Sequence, residues 1–454
     1  MTLAHVPGRL RTWTSRWRPV VPLFGAEVIV WIGFGALLPV LPLYFTEQGV
    51  DLALLGVVIA SWPAARLIGE PVFGWVADRT RRVPLMVSGL AITGVFLTLP
   101  LAIHGPVAFL VLRALAGLAT SIYDPAARGV LMDATTPDQH GEAFGWYGAA
   151  QMSGLLIGPA IGGIGASLFG GISFVFLFGG VTAVLGAIVV GLTVRDPVRR
   201  TRIPPLPATN LADFHRDFQP IDDGRTGRPP RLDGSPEDGD MLRGETGRPS
   251  RLRNPLLESG IVAHFADNFG AGVYDTIWSL YLTSKGATLG LVSLTFTMFA
   301  VPVLVVGPFT GRVVDRRGAL PFLVVGLIMI GSAAFLYTLI GDPVWAVPLI
   351  LFDATGFAIL SPAVYAVVGR GSPDGRTSTA QGIFGAAGTL GFVLSALVTG
   401  TLAGIDLRYP FYLFGTVVFV GLGLTLLIGG RAIRATEPGA VPVEPAVASA
   451  DLAG

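Results

Sequence analysis

A small set of ionisable residues stands out because of what surrounds it. Glu27, Arg113, Asp124, His264, Asp267, Asp275 and Asp353 lie in stretches otherwise built largely from apolar residues and glycine. A charge in such surroundings is costly and marks a working position. A carboxylate whose surroundings alternate can take up and release a proton. A guanidinium keeps its proton, so Arg113 can only act on an acid nearby. Proton exchange is therefore assigned to Glu27, Asp267 and Asp353, under the influence of Arg113. Glu27 ranks first because its half of the chain also carries Arg113. Asp124 follows Arg113 by about three helical turns and shares its face. His264, Asp267, Asn268 and Asp275 fall on one helical stripe. Trp31, Asp124, His264, Asn268 and Asp275 are expected to line a substrate cavity. Trp31, Tyr147, Trp278 and Tyr365 suit an apolar wall for amphipathic compounds, and suit packing or interfacial anchoring equally.

Other chemistries find little support. The chain has no cysteine, hence no disulfide framework, thiolate nucleophile or zinc–thiolate site. His264 with Asp267 is the one candidate for a nucleophile–base or metal pair, and it lacks a third ligand. No phosphate-binding G-x4-GK[ST] loop is present, so ATP is not the energy source. The expectation is a protein that is not an enzyme and holds no cofactor or metal. Neither does anything point to a nucleic-acid partner. Arg66 and Glu70 are four residues apart on a helix and are expected to pair.

Those residues need elements to hold them, and composition says which. Of 454 residues, 52% are hydrophobic and only 13% charged, with a mean hydropathy of +0.65. That excludes a soluble globular domain. Twelve apolar runs reach the roughly 20 residues that cross a bilayer. They cover about 21–45, 53–77, 83–104, 106–131, 141–168, 172–194, 255–283, 289–313, 320–340, 343–368, 378–403 and 409–430. The basic start leads into a full-length span without a small-residue cleavage site, so the first run is expected to be retained. The fold class is all-α and integral to a membrane, with residues 21–194 and 255–430 as two six-helix bundles. Residues 1–20 form a leading segment. Residues 195–254 are rich in Arg, Asp, Pro and Gly, include the near-duplicates 226–232 and 246–252, and are expected to be a disordered tether. Residues 431–454 are expected to be a disordered tail. Of the 31 Lys and Arg, Lys285 and Arg408 alone fall in loops on one side, and Arg66 and Arg113 fall well inside spans. The rest lie on the side of the termini and the tether, which places these in the cytoplasm.

The halves repeat each other. Tyr44, Thr46 and Gly49 recur as Tyr281, Thr283 and Gly286, an offset of 237. Pro71, Gly74, Asp78, Arg79, Pro84, Pro125, Gly145 and Gly154 recur at the same offset as Pro308, Gly311, Asp315, Arg316, Pro321, Pro362, Gly382 and Gly391. One shift across several spans argues for duplication. The same shift pairs Glu27 with His264.

Gly145–Gly163 reads GWYGAAQMSGLLIGPAIGG. Spacings of four put Gly154, Gly158 and Gly162 on one ridge, where small residues let a second backbone come close. Pro159 removes a backbone donor. The order Gly145, Gly154, Gly158, Pro159, Gly162, Gly163 resembles the antiporter signature of drug/proton exporters in the major facilitator superfamily. The resemblance implies a tightly packed helix that seals the cavity. The second copy has Ser395 and Ala396 where the first has Gly158 and Pro159, so Ser395 is expected to tolerate a larger side chain.

The loop Gly74 to Arg82 resembles the superfamily's G-x-L-x-D-R-x-G-R motif, with Arg81 in place of its second glycine. The resemblance implies that Gly74, Asp78, Arg79 and Arg82, with Asp133 as acidic partner, latch the cytoplasmic side, helped by Gly311, Asp315 and Arg316. Arg113 with Gly117 is similar to the family's fourth-helix motif, although Ala116 replaces the usual Gln. A sensor or scaffold has no need of such parts. The resemblance implies proton-driven export of small amphipathic compounds or drugs by alternating access, from a cell membrane and as a monomer. The small-molecule substrate, protons and the lipid bilayer are the expected partners. Export of a specific metabolite, sugar or siderophore, or uncoupled facilitation, is the alternative.

Overall fold

The computed structural model describes residues 16–136, 139–169, 171–196, 251–373 and 376–436. The expected tether, apart from its two ends, and the tail beyond 436 lie outside the described residues, as do residues 1–15. Every regular element among the described residues is helical. In chain order these are α1 (Val21–Leu37), α2 (Leu41–Glu47), α3 (Leu52–Ala77), α4 (Arg82–Thr98), α5 (Pro106–Ala134), α6 (His140–Leu168) and α7 (Ile172–Thr193). The second set is α8 (Pro255–Val273), α9 (Ser279–Ser284), α10 (Leu289–Arg317), α11 (Leu320–Tyr337), α12 (Ala346–Gly371), α13 (Thr377–Ala403) and α14 (Tyr409–Ala435). α14 runs past the expected boundary at 430.

Among the described residues ten helices are long and apolar enough to cross a membrane, or eleven when α1 and α2, bent by 42°, count as one. The remaining expected crossing, 255–283, is assembled from α8, a π-helical segment Tyr274–Trp278 and α9. His264, Asp267, Asn268 and Asp275 dilute its hydropathy. Outward-facing side chains are apolar, with Leu192 81% and Leu427 84% exposed. Lipid covers such a surface without the cost it would carry in water.

The first seven helices form one bundle and the last seven another. α1 packs on α6 and α7, α3 on α5, and α4 on α5 and α7. Equivalently, α8 packs on α13 and α14, α10 on α12, and α11 on α12 and α14. The duplication holds down to single hydrogen bonds. Tyr44 donates to the Pro100 carbonyl at 2.8 Å, and Tyr281 to the Tyr337 carbonyl at 2.7 Å. Asp51 caps α3 by accepting from Leu54 N, and Thr288 caps α10 by accepting from Leu291 N. Gly49 and Gly286 hold φ of 84° and 86°, a left-handed turn that glycine adopts at least cost.

The bundles meet through α3 with α13 and α6 with α10. A Cβ on Gly400 would lie 2.9 Å from Gly56 N, and one on Gly163 would lie 2.7 Å from Ser293 Cβ. Gly56 and Ser293 are repeat equivalents, as are Gly163 and Gly400, so these are two copies of one seal. Both lie at the face opposite the termini. Towards the termini, Gly145, Gly148, Gly382 and Gly385 have nothing within 4 Å of a Cβ. The bundles are therefore joined at one face and parted at the other.

Gly154, Gly158 and Gly162 all seat on α1. A Cβ on Gly154 would lie 2.6 Å from Trp31 Cβ, one on Gly158 2.8 Å from Ala36 N, and one on Gly162 2.6 Å from the Ala36 carbonyl. Gly163 faces the other bundle instead. The second copy is no looser. Ser395 is fully buried, and a Cβ on Gly272 would lie 2.8 Å from its Cβ. The expected tolerance at Ser395 is therefore not what the packing offers: the facing helix keeps its glycine, Gly272 being the repeat equivalent of Gly35, and the serine fills the space against it. Gly158→Leu and Ser395→Leu should both lower the melting temperature of purified protein, each by overpacking worth about 1–3 kcal/mol. Gly163→Leu should leave melting nearly unchanged, because the bundles can part there. Comparable melting losses at all three sites would contradict this division.

Candidate functional site

Glu27 is wholly buried in α1. Its Oε1 accepts from Tyr123 Oη at 2.5 Å and Tyr147 Oη at 2.6 Å, and its Oε2 accepts from Gln151 Nε2 at 3.0 Å. These donors come from α5 and α6, so the carboxylate ties three helices together. Asp353 on α12, 2% exposed, is held the same way. It accepts from Tyr274 and, at 3.1 Å, from Tyr337. Each bundle thus holds one deep carboxylate between two phenols, with no cation in contact.

Asp353 also lines a cavity of about 370 Å³ reached by α6, α8, α10, α11, α12 and α14. Asp267, His264 and Asn268 line it too, among Met152, Phe299, Phe357, Tyr365 and Phe414. No Lys or Arg contributes to that lining. A second cavity of about 590 Å³ lies between α3, α5, α8 and α13, towards the parted face. His264 and Asn268 line both. The His264 ring stacks on Phe384 at 3.9 Å, and Asn268 Nδ2 donates to the His264 carbonyl at 2.9 Å. Where the first half buries an acid among phenols, the second places an imidazole against a phenyl ring.

Arg66, Glu70 and Arg128, three members of a four-membered ion cluster, line the larger cavity. Arg66 pairs with Glu70 as expected, and also with Asp124. Arg128 reaches Glu70 at 3.3 Å and Asp124 at 3.9 Å. Two cations and two anions neutralise one another, and the Arg66 guanidinium stacks 4.7 Å from the Trp62 ring centroid. Asp124 therefore meets the Arg66 cluster and lines neither cavity. Trp31 lines neither: it packs edge-on to Phe34 at 5.3 Å, and Phe34 meets Trp62. Asp275 also stands outside both linings. Arg113 is not brought to Glu27. Its Nε and Nη1 contact no hydrogen-bond acceptor, and its guanidinium lies 5.9 Å from the Trp62 centroid.

At the terminal face, Arg82 bonds Asp133 at 2.5 Å and reaches Asp78 at 3.8 Å. Arg79 stacks on Trp75 at 3.9 Å. Asp196 accepts from the Arg82 and Val83 backbone N–H groups, capping α4, and from Arg81 Nε. The loop's departure from the family pattern, Arg81, thus has its own partner. Gly74 and Gly311 approach Pro125 and Pro362 in matching positions. Arg316 is exposed, and the Asp315 side chain lies outside what the structure describes. Among the described residues every ion pair stays within one bundle. At the opposite face Arg408 hydrogen-bonds the half-buried Asp406 and holds its carboxyl at about 2, below the usual range.

Tyr123, Gln151, Tyr274, Tyr337, Arg128 and Asp196 were not singled out by sequence. A phenol in an apolar run reads as a packing residue until the acid opposite it is known.

The sequence pattern of the Major Facilitator Superfamily matches residues 23–237 and 260–450. The chain belongs to that superfamily. It is 24% identical over 405 residues to multidrug resistance protein 2 of Bacillus subtilis (strain 168), covering 88% of this chain and 92% of the relative. It is 20% identical over 410 residues to the quinolone resistance protein NorA of Staphylococcus aureus (strain MRSA252), covering 88% and 93%. The fold is similar to a bacterial homologue of the human lysosomal transporter Spinster, solved inward-facing and occupied. That match has a TM-score of 0.70 at 16% identity and covers 92% of this chain and 97% of that one. The nucleoside transporter NupG matches with a TM-score of 0.66 at 13% identity, covering 90% and 98%. This superfamily member is thus a multi-pass membrane protein of two six-helix bundles.

The Glu27 cluster makes a test of its own. Glu27→Gln keeps an acceptor for both phenols and needs only a flip of the Gln151 amide. Glu27→Ala strands three buried donors, at about 1–3 kcal/mol each. Thermal unfolding in detergent should show the alanine variant strongly destabilised and the glutamine variant close to wild type. Equal losses would mean that the hydrogen bonds do not hold α1 to α5 and α6.

Proposed function

We propose that this protein exports small amphipathic compounds in exchange for protons by alternating access. The observation that carries the reading is the smaller cavity. Its wall is apolar and aromatic, it holds Asp267 and Asp353 without a Lys or Arg, and the bundles are sealed beyond it at one face only. Relatives named for multidrug and quinolone resistance support the substrate class. An aromatic wall with two acids suits a flat, apolar solute carrying a basic group. A carboxylate held by neutral phenols can be neutralised by a proton without stranding a partner cation, which suits exchange with a solute or with solvent.

The bias of Lys and Arg puts the parted, terminal face in the cytoplasm of a cell membrane. The structure then corresponds to the state that loads from inside. The conversion to the opposite state rocks the two bundles about the cavity. Glu27 serves as a second proton site in the first bundle, and the Asp78, Arg82 and Asp133 group holds the cytoplasmic latch. The chain acts as a monomer, since each chain contains both bundles.

The test uses inverted vesicles with a labelled quinolone or lipophilic amine. An imposed pH gradient should drive uptake into vesicles bearing the wild-type protein. Asp353→Asn should abolish gradient-driven uptake while substrate binding and passive exchange persist. Transport that ignores the gradient in the wild type would mean uncoupled facilitation. Undiminished gradient-driven transport in Asp267→Asn, Asp353→Asn and Glu27→Gln alike would remove the carboxylates from the mechanism.

A further inference from the structure

The two cavities differ in charge as well as in size. The smaller carries Asp267 and Asp353 and no Lys or Arg. The larger carries Arg66 and Arg128 with Glu70. His264 and Asn268 line both, so the two spaces share a wall. The division follows the repeat. At the offset of 237, Arg66, Glu70, Asp124 and Arg128 fall on Val303, Gly307, Ser361 and Tyr365, none of them charged. Asp267 and Asp353 fall in turn on Val30 and Ala116. The arginines that line these spaces therefore belong to one bundle, and the acids that have no cation partner belong to the other.

The two arginines are not held alike. Arg66 bonds Glu70 through Nε at 3.1 Å and through Nη2, and bonds Asp124 through the same Nη2. It also stacks on Trp62 at 4.7 Å. Both acids are thus served by Arg66 alone. Arg128 reaches them only through Nη2, at 3.3 and 3.9 Å. Among the described residues no hydrogen bond or ion pair engages its Nε or Nη1. Its side chain is 43% exposed, against 19% for Arg66. A guanidinium carries five N–H donors in a geometry that suits a carboxylate. Arg128 therefore has donors to spare on the wall of a space of about 590 Å³, whereas Arg66 is committed to the fold. Gln381 and Thr389 of α13 line the same space and add neutral hydrogen-bonding groups.

We propose that Arg128 anchors a second solute subsite, which takes the carboxylate of a solute whose basic end lies against Asp267 and Asp353. The inference rests on the export reading above and deepens it: the solutes carried include zwitterions with opposite charges at the two ends of an aromatic body. His264 and Asn268 stand where such a body passes from one cavity to the other. In that pose each charge of the solute meets its opposite, and neither is buried alone. Glu70 and Asp124 keep Arg66 when Arg128 turns to the solute, so loading strands neither acid. A solute with the basic group alone uses the smaller cavity and leaves Arg128 to Glu70 and Asp124.

The test compares an aminomethyl-biphenyl carboxylic acid with its primary carboxamide, which keeps the amine and the aromatic body and lacks the negative charge. Binding of each to the full-length protein in detergent is measured by calorimetry at one pH and ionic strength. Arg128→Gln should weaken binding of the acid about five- to tenfold and leave the amide unchanged. Arg128→Lys should lose less, because it keeps the charge without the planar fork. Melting temperatures should show both variants folded, since Arg66 still holds Glu70 and Asp124. Where Arg128→Gln alone is lost to misfolding, Arg128→Lys must still weaken the acid more than the amide. The pair Asp267→Asn with Asp353→Asn should weaken both compounds alike, because both present the amine. Equal losses of acid and amide in the Arg128 variants, no loss of the acid, or an acid that does not bind the wild type would each overturn the subsite. If the paired Asp variant binds both compounds as the wild type does while Arg128→Gln still singles out the acid, the subsite stands and the smaller cavity is not where the basic end is held.

Discussion

Contact between bare backbones is what the rest of this structure depends on. Two transmembrane helices normally keep their axes apart by the thickness of their side chains. Where Gly154, Gly158 and Gly162 face α1, that thickness is gone. The gain is close dispersion contact, which in lipid must replace the hydrophobic drive that water supplies. The same device, used between bundles at Gly56, Gly400 and Gly163, has a different consequence. Inside a bundle it fixes a helix; between bundles it draws the two together at one face, where Leu280, Phe392 and Leu397 of the second bundle also join a core built mostly from the first. A single run of glycines on α6 does both, because consecutive Gly162 and Gly163 point to different neighbours.

That close packing leaves little room for charge, and the charges present are handled in three ways. Arg66, Glu70, Asp124 and Arg128 neutralise one another at the edge of the larger cavity. Glu27 and Asp353 are each held by phenols, so their bonding does not depend on a fixed counter-ion. Arg113 is buried with its Nε and Nη1 free of any acceptor. Only Asp267 and Asp353 combine an acid with the apolar wall of the smaller cavity. Location therefore separates residues that composition alone makes look alike.

Much of this was legible in the chain. The constant offset between the halves survives as matched turns at Gly49 and Gly286, matched caps at Asp51 and Thr288, and matched tyrosine bonds from Tyr44 and Tyr281. These are local features, encoded within a few residues of each other or copied whole. The glycine ridge was legible for the same reason: spacing of four is a property of one helix. What was not legible is which helix lies opposite. Tyr123 and Tyr147 gain meaning only once α5 and α6 bring them to Glu27. Asp124 leaves the expected cavity for Arg66 because α3 packs on α5 at that height. Ser395 looked like a lapsed glycine, but the facing helix still needs Gly272 to make room for it, and a pattern read along one helix cannot show that.

The departures from the repeat carry the functional asymmetry. At the offset that pairs Glu27 with His264, Tyr147 becomes Phe384 and Gln151 becomes Gly388. The phenol loses its hydroxyl, and a Cβ on Gly388 would lie 2.7 Å from His264 Cδ2 and closer still to Nε2. An acid with three donors has become an imidazole stacked on a phenyl ring, in a space opened by removing a side chain. The first bundle keeps its carboxylate sealed from both cavities, while the second places His264 where the two cavities meet. Duplication supplies two bundles of the same shape, and a two-fold symmetric pair would offer a solute the same environment on each side. Substitution at these few equivalent positions breaks that equality. The second bundle then carries Asp267 and Asp353 on the wall of the smaller cavity, while the first keeps Glu27 out of both linings.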